Sequence, residues 1–137
     1  MDAARLVAQA EQTMRGAPQP DDIIAEAWQA FELTEAVGRL LTADHERPVV
    51  RAGPGPVVGA AGGDPPRAVR LTGVRDPEGT LRALRTLLGE IGLALVAVTC
   101  TAEDEAAYWN CIEALDAVDE AKDRVRALTR ETRGEGR

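Results

Sequence analysis

Two short acidic spacings are the first residues in this chain that could do chemistry. Glu32 and Glu35 stand three apart in FELTEAV, and Glu113 and Asp116 stand three apart in CIEALD. Side chains three apart on a helix share a face, so each pair could offer two carboxylates to one Mg²⁺. Di-iron helical bundles also need Glu-x-x-His pairs, and the chain has none. His45 is its one histidine, so no multi-His metal site can form within one chain.

The two acidic pairs resemble, in spacing alone, those of the Mg²⁺-dependent all-helical nucleotide pyrophosphohydrolases. That resemblance implies convergence of Glu32, Glu35, Glu113 and Asp116 on a metal. Two features oppose it. The pairs lie much farther apart in the chain than that family's pattern, and helical phase turns Glu113 and Asp116 away from the apolar face of their own helix. Other catalytic options are few. The chain contains no serine, which removes serine nucleophiles. Lys122 is its one lysine and sits among carboxylates. Cys100 and Cys111 read as reduced, buried small hydrophobic side chains rather than a disulfide. His45, in ADHERP, reads as an exposed histidine at a helix end. The expectation is a chain with no catalytic residues and no cofactor.

The elements that would position these groups are helical. The 137 residues suit one domain, 1–137, and 45% of them are hydrophobic but only 3% aromatic. A core of Leu, Val, Ile and Ala favours helix over sheet. The net charge of −7 repels phosphate backbones, so nucleic acid is not an expected partner. No apolar run approaches the ~20 residues of a membrane span and no signal-like segment opens the chain, so it reads as cytoplasmic.

A first helix is expected over 2–15, with Asp2 as its cap and Ala3, Leu6, Val7, Ala10 and Met14 on its apolar side. A second spans 21–42. Its stripe of Ile23, Ala27, Ala30, Thr34, Val37 and Leu41 is flanked by Trp28 on one side and by Leu33 and Leu40 on the other. So wide an arc needs cover from another helix or another subunit. Residues 44–75 are dense in Gly and Pro and read as a flexible loop, with VVRA and AVRLTGV as extended segments. The third helix opens at Asp76 and Pro77 and runs through LLGEIGLALVAV, with Gly89 and Gly92 allowing close backbone approach. An α+β alternative makes 92–99 a short strand. The fourth helix is expected from Ala102, capped by Thr101, and residues 131–137 read as a frayed tail. The fold class is therefore all-α: a four-helix bundle with a long Gly/Pro-rich crossover between its second and third helices.

On the fourth helix, Cys111, Leu115, Val118, Lys122 and Val125 share one face, Lys122 lying along it with its ammonium reaching out. Glu113, Asp116, Glu120 and Asp123 fall on the opposite side, as a solvated face does. Trp109 falls there too, where an indole is costly to leave wet. Trp28, Leu33, Leu40, Tyr108 and Trp109 are the candidate interface residues.

The segments EAWQAFELTEAVG (26–38) and LLGEIGLALVAVTCTAEDEAAYWNCIEALDAVDEAKDRVR (87–126), above all YWNCIEALDA with the upstream AWQA, resemble a family of small uncharacterised proteins of Streptomyces and related actinomycetes. The resemblance implies a cytoplasmic helical protein with no assigned activity. It transfers no functional residue. The expected function is a non-enzymatic helical interaction module that pairs with itself or with another protein. The alternatives are a small-molecule-binding bundle with 44–75 as a lid, around an occluded apolar cavity, and the Mg²⁺-dependent hydrolase.

Overall fold

The computed structural model describes residues 1–16, 18–42 and 65–134. Among them the chain is all-α. Its helices are α1 (Ala3–Arg15), α2 (Pro20–Thr42), the single turn α3 (Arg67–Arg70), α4 (Pro77–Thr101) and α5 (Glu105–Gly134). The stretch 43–64, with His45 and VVRA, lies outside the described residues, as do 135–137.

Side-chain caps set the helix starts. Asp2 accepts from the Ala4 amide at 3.0 Å and opens α1. Asp76 accepts from the Gly79 amide at 3.1 Å, with Pro77 in the first helical position of α4. Asp21 and Asp22 stand in the first turn of α2, where the helix dipole favours negative charge. The start of α5 differs from the sequence expectation. Thr101 remains the last residue of α4, its hydroxyl donating to the Val98 carbonyl at 3.1 Å. Asp104 accepts from the Ala107 amide at 2.8 Å and takes the capping role instead. A carboxylate is the better acceptor, so α5 begins one turn later than Thr101 would place it.

Three further expectations change. Residues 92–99 are helical throughout, so the strand alternative falls. AVRLTGV is not uniformly extended, because Ala68–Arg70 belong to α3. Only Leu71–Val74 stays extended, and there Gly73 bridges Asp2 in parallel register. The expected tail 131–137 is helical as far as Gly134, and 135–137 lie outside the described residues.

The core forms around α4. It buries Leu81, Leu84, Leu87, Leu88, Ile91 and Leu95 against Leu6 and Val7 of α1, Leu33 and Val37 of α2, and Val118, Val125 and Leu128 of α5. Small residues let α2 and α5 approach closely: Ala27, Ala30 and Gly38 on one side, Ala114, Ala117 and Ala121 on the other. The Arg124 guanidinium lies across Gly38, where an added Cβ would come within 2.6 Å of Nη2. α4 is long and apolar enough to cross a membrane by length and composition. That corrects the expectation that no such run exists; 33% of that apolar window is buried within the chain, where α1, α2 and α5 pack on α4.

Two polar fastenings join the segment 65–75 to the rest. The Arg67 guanidinium meets the Glu26 carboxylate at 2.7 Å, both nearly buried, and the Arg67 amide donates to Gln29 Oε1 at 3.1 Å. At the other end the Met1 ammonium donates to the Arg70 carbonyl at 2.8 Å, and the Ala3 amide to the Gly73 carbonyl at 2.9 Å. The Arg75 amide donates to Asp2 Oδ1 at 2.9 Å. That bond, more than any other cause, holds the Asp2 carboxyl below its ordinary pKa. A depressed carboxyl stabilises the fold above the ordinary value and ceases to as pH falls through the lowered one.

Two outcomes follow. Leu84→Ala, at a site with no exposed surface, is expected to lower stability by about 2–5 kcal/mol, read as a lower urea midpoint at unchanged slope. Asp2→Ala is expected to speed amide exchange at Ala4 and Arg75 while leaving the amides of α4 protected.

Candidate functional site

The residues singled out from sequence do not form one site. Leu33 is 1% exposed and belongs to the chain's own core, so it cannot face a partner. The flank it occupies on α2 is covered from within the chain, by α4 and α5. Leu40 is partly exposed, and Trp28 is 40% exposed with one edge against Phe31, at 6.1 Å between ring centroids. Glu32, Glu113 and Asp116 are exposed and Glu35 is half-buried. Among the described residues, no three of the acids, cysteines or histidines gather as metal ligands would. The convergence that the hydrolase reading requires does not occur. Cys111 is buried, but Cys100 is exposed on the outer side of α4, against the burial expected of it, and both are free thiols.

Two features remain on the hairpin of α4 and α5. These helices run antiparallel, joined by the link 102–104, and the Arg133 guanidinium near the end of α5 lies 3.8 Å from Glu78 at the start of α4. Near the linked end several large apolar side chains are exposed, beside the exposed carboxylates of Glu103, Asp104 and Glu105. Leu93 is 75% exposed, Val96 50% and Trp109 54%, with Tyr108 edge-on to Trp109 at 5.2 Å. Leu93, Val96, Ala97 and Cys100 recur at helical spacing on the outer side of α4, all exposed. Singly exposed apolar residues are ordinary, whereas a contiguous patch marks an interaction surface.

Toward the open end the hairpin surface turns cationic. A groove of about 390 Å³ lies between α4 and α5, lined by Arg85 and Gly89 from one helix and by Lys122, Val125, Arg126, Thr129 and Arg130 from the other. It is an open surface groove, unlike the occluded apolar cavity expected of a small-molecule bundle. Lys122 is half-buried, as the snorkelling reading expects, and its ammonium hangs over α4 about 3.7 Å from where a Cβ on Gly92 would stand. Arg126 donates to Asp123 at 2.7 Å, an exposed pair. Sequence reasoning missed this ridge. The four-residue spacing of Lys122, Arg126 and Arg130 is visible in the sequence, but no local pattern brings Arg85 of α4 beside them.

Gly89 and Gly92 do not serve the close backbone approach expected of them. An added Cβ meets nothing within 4 Å at Gly89 and only ordinary contacts at Gly92. Gly92→Ala is therefore expected to raise stability by roughly 0.5–1 kcal/mol, since alanine loses less backbone entropy in a helix interior. Thermal or urea unfolding checks it; a loss of stability contradicts the packing described.

One family model matches residues 1–131, and its description is a family of unknown function (DUF6099). No curated protein matches the chain, and no solved structure does.

Proposed function

The chain belongs to that family of unknown function, and from that premise we propose that it is a non-enzymatic helical interaction module that pairs with a second copy of itself. The observation that carries the reading is the exposure of four large apolar side chains near the linked end of the α4–α5 hairpin, Leu93, Val96, Tyr108 and Trp109. A two-fold pairing sets the same patch on both copies face to face, so one apolar strip supplies both halves of an interface. Aromatic residues at the centre of such a patch carry most of the association energy. The acids that follow on α5, among them Glu113, Asp116 and Glu120, are exposed. They suit a polar rim that remains in water.

In this reading the four long helices make a four-helix bundle, with the Gly/Pro-rich stretch as the crossover between α2 and α4. We infer as well a cytoplasmic protein of an actinomycete. A composition with one lysine among 16 basic residues supports a GC-rich host.

Sedimentation analysis across the micromolar range tests the pairing. The expected result is twice the mass of one chain, falling to a single chain in Leu93→Glu and Trp109→Glu with helical circular dichroism retained. Cys100 is expected to react with a thiol reagent more slowly as the wild-type concentration rises. A wild-type chain that stays monomeric at every concentration overturns the proposal.

A further inference from the structure

The cations of the hairpin groove are arranged against their own interest. Lys122, Arg126 and Arg130 repeat every four residues on one face of α5, and Arg85 faces them from α4. Like charges at this spacing destabilise a helix. The helix dipole accounts for Arg133, in the last turn of α5, but its influence fades within that turn. Lys122 and Arg126 lie beyond it. Among the described residues, Arg85, Lys122 and Arg130 have no carboxylate within 4 Å. The groove lining holds no acid, in a chain of net charge −7.

We propose that this groove binds a small phosphate-bearing molecule. A bound dianion relieves the repulsion along the ridge and accepts from several guanidinium and ammonium donors at once, the strongest hydrogen bonds available to a protein. The groove volume, about 390 Å³, falls at the small end of the range for small-molecule pockets. Gly89 leaves its floor open, since nothing lies within 4 Å of where its Cβ would stand. Thr129 is not a donor to the ligand, because its hydroxyl already donates to the Val125 carbonyl at 2.8 Å. Arg126 leaves Asp123 at small cost, because both partners of that pair are exposed. A long polyanion must also cross the acidic body of the protein, whereas a small one touches only the groove. This selects a phosphorylated small molecule over a nucleic acid strand.

Calorimetric titration of the full chain with inorganic pyrophosphate at low ionic strength tests the site. Saturable binding near one equivalent per chain is expected. Arg85→Gln and Arg126→Gln each are expected to weaken it by about 10- to 100-fold, the loss of one charge-assisted hydrogen bond. Arg133→Gln, outside the groove, is expected to leave it unchanged. Gly89→Leu is expected to abolish binding by filling the floor, with helical content and cooperative unfolding retained. Binding is also expected to persist in Leu93→Glu, which separates this site from the pairing of copies. No saturable pyrophosphate binding at millimolar concentration overturns the proposal. So does pyrophosphate binding indifferent to Arg85 and Arg126, or tighter capture of single-stranded RNA or an acidic peptide than of pyrophosphate.

Discussion

The structure depends on a single helix, α4, whose apolar residues the other long helices cover. α4 cannot stand in water by itself, and every other long helix contacts it. Its buried leucines and Ile91 occupy the middle of the core, so α1, α2 and α5 are placed by what they must cover. Burial of apolar surface has no directional preference, which is why small side chains and polar fastenings are needed to fix the arrangement. Ala and Gly set the spacing between α2 and α5. The Glu26–Arg67 pair and the hydrogen bonds of Met1, Asp2 and Ala3 set where the segment before α4 lies.

Three helices leave part of α4 uncovered, and that remainder is divided. Toward its start the outer side carries Arg82 and Arg85; toward its end it carries Leu93, Val96 and Ala97. The outer side of α4 therefore changes along its length from cationic to apolar. Neither part is accounted for by folding alone. A solvated face needs polar residues of mixed sign, and a core helix needs its apolar residues covered.

Helix existence was legible in the sequence because the periodic signal was long and the caps were strong. Asp2 and Asp76 cap where their position next to Ala-rich and Pro-led runs said they would. The helix across 92–99 followed from its continuity with the run before it. What sequence did not show was competition between neighbours. Thr101 and Asp104 are both capping residues, and the choice between them depends on where α4 stops. α3 is one turn held by Gln29 and Glu26, contacts 38 and 41 residues away that no local pattern contains. The candidate site was read less well for the same reason. Periodicity placed Trp109 outside but assigned Leu33 to a flank that α4 and α5 already fill. It also placed Lys122 along the core face of α5 and gave no sign that Arg85 on the facing helix joins it in one groove.

The bridge between Asp2 and Gly73 joins residues 71 apart in the chain. Everything between them, α1, α2, the Gly/Pro-rich stretch and α3, is thereby a closed circuit of polypeptide. The entropy lost on closing such a circuit grows only as the logarithm of its length, about 0.6 kcal/mol for each doubling. Extra residues between α2 and α3 therefore weigh little against the contacts that hold the circuit shut. The fold is buffered against insertion there in a way that it is not at the three-residue link between α4 and α5, where length itself determines how the two helices meet.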